Sequence, residues 1–169
     1  MRPIAFAALF LAVACSSSDP PDPNPLERPP VDAARVGDAE DVVTWPYQKS
    51  VRADLDGDGD QETVILASDV TVQESTGRPI WEDGHRWAVL VEDDGEHTLL
   101  YGAFVPNGFV EAALGERESD GIAAVIVAER SPRHFRVYDI VYEAPGEARL
   151  RSAANYPLAQ WWPDSATLR

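Results

Sequence analysis

The chain has 169 residues, with 14 Lys or Arg against 29 Asp or Glu and a formal net charge of −15 at pH 7. That balance argues against a nucleic-acid partner, since little in it can release counterions from phosphates, and it favours solubility, cations and basic partners. A single cysteine excludes an intramolecular disulfide and a thiolate zinc cluster, while a hydrophobic content of 44% supports a folded body.

The first residues read as an export signal. Met1-Arg2-Pro3 gives a positive start, an apolar stretch follows, and Ala12 and Ala14 are the small residues at −3 and −1 before Cys15. The apolar stretch covers about 10 residues where a membrane span needs about 20, so residues 1–14 are expected to be a signal peptide and not an anchor. Leu11-Ala12-Val13-Ala14-Cys15 resembles a bacterial lipobox, departing from it at Ala12, where leucine is preferred. The resemblance implies that Cys15 is diacylated and becomes the mature N-terminus. With Ser16 instead of aspartate next to it, it also implies sorting to an outer membrane. Ordinary cleavage at the same bond is the alternative and would give a secreted soluble protein.

Residues 15–41 are poor in apolar side chains and rich in Pro, Ser and Asp, with Pro20, Pro21, Pro23, Pro25, Pro29 and Pro30. Such a composition buries too little surface to offset its ordering entropy and reads as a lipidated tether, extended by its prolines. A short helix over 31–36 is the one element it offers. Residues 42–169 are expected to form a single β-rich domain of about 125 residues, long enough for a real core.

The most informative stretch is Asp54-Leu55-Asp56-Gly57-Asp58-Gly59-Asp60-Gln61-Glu62, which runs into the apolar Thr63-Val64-Ile65-Leu66-Ala67. Five carboxylates alternate through nine residues with no Lys or Arg among them. At about 4 Å each like-charge pair costs roughly 1 kcal/mol even in water, so a compact turn here calls for a cation. Calcium takes six to eight hard oxygens from a loop with carboxylates at positions 1, 3 and 5, glycine at 6, a backbone carbonyl at 7 and an acid at 9. Asp54, Asp56 and Asp58 fill the first three, Gly59 stands at the sharp turn, Asp60 gives its carbonyl, and Glu62 stands at 9, directly or through water. Ile65 occupies position 12, where an EF-hand needs glutamate, and the β-branched run after the loop reads as a strand.

Asp-Leu-Asp-Gly-Asp-Gly followed by an acid and an apolar strand is similar to the calcium loop of FG-GAP and VCBS repeats, the type found in integrin-like propellers. The similarity covers residues 54–66 and departs at Glu62, where aspartate is usual. It implies a structural calcium ion. It does not carry over the propeller, which needs several repeats where this chain has one. Asp-Gly dipeptides also make ordinary hairpin turns that water can solvate, but alternation at 1, 3, 5 and 9 is more than a turn demands.

Beyond the loop, β-rich runs are expected at 44–53, 62–72, 81 with 86–92, 97–105, 109–114, 122–129, 134–142 and 148–154. They are separated by turn clusters at Asp93-Asp94-Gly95, Pro106-Asn107-Gly108, Glu118-Ser119-Asp120-Gly121, Ser131-Pro132 and Ala144-Pro145-Gly146. The spacing predicts a mainly β fold, an antiparallel meander of seven or eight strands. Runs apolar on both faces, such as Ile122-Ala123-Ala124-Val125-Ile126-Val127-Ala128, predict a curled sheet, sandwich or barrel over a flat sheet. Trp161-Trp162 is expected to cap the core.

The chemistry-bearing residues are sparse. His85, His97 and His134 are scattered, with no metal-ligand spacing, and each is expected to be an exposed strand-end histidine. No nucleophile elbow, phosphate loop or dinucleotide fingerprint occurs. Acid pairs such as Asp93 with Asp94 or Glu116 with Glu118 are expected to be solvated turn carboxylates. The chain is therefore not expected to be an enzyme. It reads as an exported lipoprotein whose calcium-stabilised β-domain acts as a binding or structural module at the cell envelope, with an unidentified protein or glycan partner. One alternative is a carbohydrate-binding module using exposed tryptophans among Trp45, Trp81, Trp87, Trp161 and Trp162. The other is an envelope enzyme with an acidic site built near His85 or Arg86.

Overall fold

A computed structural model describes residues 29–115 and 123–158. Two short helices, α1 (Ala33–Val36) and α2 (Ala39–Val42), precede ten strands. These are β1 (Tyr47–Ala53), β2 (Glu62–Ser68), β3 (Val72–Gln73), β4 (Arg78–Pro79), β5 (Gly84–Asp93), β6 (Glu96–Pro106), β7 (Phe109–Leu114), β8 (Ala124–Arg130), β9 (His134–Ala144) and β10 (Glu147–Pro157). The fold is mainly β and antiparallel, as the turn spacing predicts. Sheet one has the order β1-β2-β5-β6, sheet two the order β10-β9-β8-β7, and β3-β4 is a separate ribbon. The two sheets face each other as a sandwich and do not close into a barrel.

Alternation along the strands builds the shared core. Val64 and Leu66 of β2, Trp87, Val89 and Val91 of β5, and Tyr101 and Val105 of β6 meet Val110, Val125, Val127, Ile140 and Tyr142 of sheet two. A bulge on β6 opposite Val89 and Leu90 lets the successive Leu100 and Tyr101 both enter that core. The β5–β6 turn is a two-residue loop in which Asp94 (φ 49) and Gly95 (φ 85) both take positive φ, the requirement of a tight hairpin.

Several boundaries differ from the sequence reading for local reasons. β1 begins at Tyr47 instead of 44, because the Trp45 amide closes a turn on Val42 and Pro46 has no N–H to offer a sheet. β2 stops at Ser68, where the Asp69 carboxylate takes the Arg86 amide at 2.8 Å and its guanidinium at 2.6 Å. The residues read as the end of that strand leave the sheet to form the β3-β4 ribbon. The tryptophan pair Trp161-Trp162 lies outside the described residues.

The larger difference concerns residues 29–41, read from composition as tether. They lie on the outer face of sheet one, where Val36, Val42 and Trp45 pack against Ile65, Ala67, Ala88 and Leu90. Asp38 caps α2 by accepting the Asp41 amide at 3.0 Å. Upstream, Pro30 and Asp32 bond the backbone of Gly102 on both its groups, at 3.1 and 2.8 Å, covering the edge of β6. A Cβ on Gly102 would stand 2.7 Å from Val36 Cγ2, so this glycine admits the strap. The central strands of sheet one, β2 and β5, are thus buried on both faces, and they read as unbroken apolar runs. The doubly covered strands are these two and not β8, whose Ile126 and Ala128 stay half-exposed. Residues 15–28 of the expected tether and Cys15 lie outside the described residues. No helix among the described residues is long and apolar enough to cross a membrane.

Val36 has 0% exposure. Val36→Ala removes two buried methyl groups, a loss of about 1–2 kcal/mol, and should lower the melting temperature by roughly 5–10 °C. An unchanged melt would place residues 29–41 back in the tether.

Candidate metal centre

The acidic loop joins β1 to β2, and the pairing of Ala53 with Glu62 closes its neck. Leu55 anchors it: the side chain is buried in the sandwich core, and its carbonyl accepts the Ala123 amide at 3.2 Å, a bond to the start of β8. Around that anchor the chain folds on its own carboxylates. Asp54 Oδ1 accepts the Gly57 amide at 2.7 Å, Asp56 Oδ1 the Asp58 amide at 3.1 Å, and Asp58 Oδ1 the Asp60 amide at 2.8 Å. These Asx turns need positive φ at Gly57 (86°) and Gly59 (102°), as expected for the sharp turn at Gly59.

The turns bring three of the five sequence-picked acids together. One carboxylate oxygen each from Asp54, Asp56 and Asp58 lies within 4.8 Å of the others. A carboxylate has two oxygens and about four acceptor sites, so an Asx bond does not exhaust it. Three hard oxygens on a loop that can add a backbone carbonyl match the ligand type and flexible geometry that calcium takes, and leave room for water. Asp60 is exposed and outside this group.

Glu62 plays a different part from the one its spacing implies. It is 2% exposed, and its Oε2 accepts the Leu55 amide at 2.5 Å across the neck of the loop. Burial pushes its pKa above the ordinary 4.5, and the charges of Asp56, Asp93 and Asp58 push the same way against the stabilising Leu55 amide. It is a strap that shapes the loop from below, outside the aspartate triad. Asp93 is the acid that sequence reasoning missed. It was read as a solvated turn residue, yet the β2–β5 register that sets Thr63 against Glu92 brings it beside Glu62. There it accepts the buried Tyr142 phenol of sheet two at 2.7 Å. That phenol is held strongly toward its protonated form by burial first and by Asp93 second. No spacing along the chain announces the pair, since it depends on the stacking of two sheets.

The histidines also differ from expectation, because each packs against a neighbouring segment. His85 is buried, and its Nε2 accepts the Glu82 amide at 3.0 Å, a position that serves the turn into β5. Arg86, the other residue considered for an acidic active site, is locked between Asp69 and the face of Trp45, 5.1 Å from the ring centroid. His97 of β6 bonds Glu40 of α2 at 3.1 Å. His134 meets a buried acid, Glu129, at 2.6 Å. Of the tryptophans, Trp45 and Trp87 are core, while Trp81 is 53% exposed and stacked on Trp87 at 5.8 Å. Glu116 and Glu118 lie outside the described residues.

Comparison with protein-family models, with curated proteins and with solved structures gives no match to this chain. The site therefore rests on its own geometry.

Glu62→Gln keeps an acceptor for the Leu55 amide and removes the buried charge. Ionising an acid whose folded pKa is raised costs stability, a penalty that is absent below 4.5 and grows as pH rises from there toward the folded value. In chelator at pH 7 the variant should melt above wild type, with the gap closing as pH falls toward 4.5. A variant that melts lower at pH 7 would show that the carboxylate itself is needed.

Proposed function

We propose that this protein is an exported lipoprotein whose β-sandwich is stabilised by calcium in the 54–62 loop and acts as a binding or structural module at the cell envelope. The observation that carries the reading is the convergence of Asp54, Asp56 and Asp58 oxygens within 4.8 Å on a loop anchored in the core. At that spacing each pair of like charges repels by about 1 kcal/mol in water and several times more near a protein surface. A divalent ion reverses the sign of that term and also relieves Glu62 beneath. Asp54, Asp56 and Asp58 would hold the ion, with the Asp60 carbonyl as a further oxygen, while Glu62 fixes the loop's neck. The ion's place is structural, because the loop ties β1, β2 and the start of β8.

Support for export comes from the leader and from Cys15, the single cysteine, standing at its cleavage position. Diacylation there would anchor the module in a membrane, and the partner would be a protein or glycan met at the envelope. A tryptophan platform for sugars has less support: among the described residues Trp81 alone is exposed, and its neighbour Trp87 is core.

Calcium at 100 times its dissociation constant should stabilise the domain by about 2.7 kcal/mol, a melting shift of roughly 5–15 °C, with magnesium doing less because it sheds water reluctantly. Asp56→Ala and Asp58→Ala should abolish the shift and Asp60→Ala, which keeps the backbone carbonyl, should preserve most of it. A wild-type melt indifferent to calcium up to about 10 mM, above the usual range of extracellular sites, reduces the loop to an acidic turn.

Anchoring is tested separately. Cys15→Ala should release the protein from the membrane fraction, and the intact mass of the wild type should show acyl chains and no leader. A mature but unacylated wild-type species would leave export standing and remove the anchor.

A further inference from the structure

At the end of the sandwich away from the acidic loop, the β6–β7 turn meets the β8–β9 turn. The register fixes the meeting, because Phe109 at the start of β7 stands opposite Arg130 at the end of β8. Gly108 lets the two backbones close up, since a Cβ there would collide with the Arg130 carbonyl. The hollow between the turns holds about 650 Å³, within the size range of small-molecule sites. Phe109, Pro132 and Leu158 supply its apolar lining, and Arg130 and Arg133 supply its charge. The backbone that displays both guanidinium groups is pinned. Ser131 is buried, its Oγ accepts the Arg133 and His134 amides at 3.4 and 3.3 Å, and the Arg133 carbonyl accepts the Leu158 amide at 3.0 Å.

The charge on this hollow is not balanced, for no carboxylate lines it. Elsewhere among the described residues Arg35, Arg86, Arg136, Arg149 and Arg151 each pair with an acid, at 2.6 to 3.4 Å. Arg130 and Arg133 pair with none of the described acids. Arg130 lies instead over the Phe109 ring, 5.9 Å from its centroid, a contact that leaves its planar fork of donors without an oxygen partner among the described residues. Glu129, next to Arg130 in sequence, alternates to the opposite face of β8 and is buried in its own network with Tyr101 and His134. Glu82 lies beyond Phe109, on the adjoining hollow. In a chain with 29 acids against 14 bases, two cations brought to one hollow without an acid call for a counter-charge from outside.

We propose that this hollow binds a phosphate monoester, the phosphoryl group held between Arg130 and Arg133 and its apolar body lying on Phe109, Pro132 and Leu158. The charge count selects the group. A monoester carries about −1.5 to −2 at pH 7 and three acceptor oxygens, enough to meet both guanidinium forks, whereas a carboxylate compensates one. A soluble ester and a lipid headgroup share that chemistry. The inference is independent of the calcium reading, since the acidic loop closes the other end of the sandwich.

Phenyl phosphate titrated into the isotope-labelled full chain should give saturable amide shifts at Phe109, Arg130 and Arg133, with a dissociation constant on the order of 1 mM or tighter. Benzoate, with one charge, should bind about tenfold more weakly, and benzyl alcohol, with none, more weakly still. Arg130→Gln and Arg133→Gln, both at exposed positions, should each weaken phenyl phosphate about tenfold and keep the melting temperature within about 3 °C of wild type. Arg52→Gln, on β1 beside the acidic loop, should leave binding unchanged. Displacement of phenyl phosphate by phosphatidic acid vesicles, with phosphatidylcholine vesicles inert, would support the site and place the ester on a lipid headgroup. With both kinds of vesicle inert, saturable phenyl phosphate binding supports the site for a soluble ester. Absence of saturable shifts up to about 10 mM phenyl phosphate overturns the proposal. So does benzoate or benzyl alcohol binding as tightly as phenyl phosphate, or an affinity that neither arginine substitution in the hollow changes.

Discussion

Leu55 is the hinge on which one whole end of the molecule depends. Its side chain is sunk in the core, its amide is held by the buried Glu62 carboxylate, and its carbonyl takes the Ala123 amide just before β8. One residue thus fastens an acidic hairpin loop to both sheets. Two more polar bonds cross between the sheets at the same end, Tyr142 to Asp93 and the Gly146 amide to the Thr98 hydroxyl at 2.7 Å. The aspartate triad is therefore mounted on the best-tied rim of the sandwich. Opening the loop would disturb the neck of β1 and β2 and the entry to β8 together, which gives a structural ion a route to global stability.

The second constraint is the double burial of β2 and β5, the central strands of sheet one. Neither β2 nor β5 can leave a face in water, because Val64, Leu66, Val89 and Val91 alternate with Ile65, Ala67, Ala88 and Leu90. Sheet two covers one set. The other is covered by a strap whose helices are each four residues long and would not persist alone. Its geometry is imposed by the sheet, through the backbone pairing at Gly102 and the insertion of Val36. This strap forms one wall of the cavity beside Glu129, so the coverage that completes the core also shapes that space.

These two constraints explain how far the sequence could be read. Strand positions were legible because turn chemistry is local: Asp94-Gly95 and Pro145-Gly146 mark hairpins in any context, and apolar runs between them set the strands. The triad was legible for the same reason, since an Asx turn reaches two or three residues. Glu62 was legible as an acid of the loop but not in its orientation, which depends on Leu55 being drawn into the core. The strap was not legible, because composition averages over the few valines that dock. Glu129, His134 and Arg136 were hidden in a different way. The Ser131-Pro132 turn implied a hairpin, and the β8–β9 register sets Glu129 opposite Arg136. What the sequence lacked was Tyr101, delivered from the other sheet past a bulge that spacing does not announce.

Glu62 and Glu129 show how environment divides two nearly equally buried carboxylates. Glu62 receives one backbone amide and faces Asp56, Asp58 and Asp93, so its charge is opposed by its surroundings and favours a cation above it. Glu129 receives a phenol, an imidazole and a guanidinium, so its charge is met from within. Ala123, bonded to the loop, and Glu129 are six residues apart along β8 and its approach, a separation of about 20 Å in extended chain. Two carboxylates of almost equal burial are thus opposed by like charges at one rim and met by hydrogen-bond donors at the other.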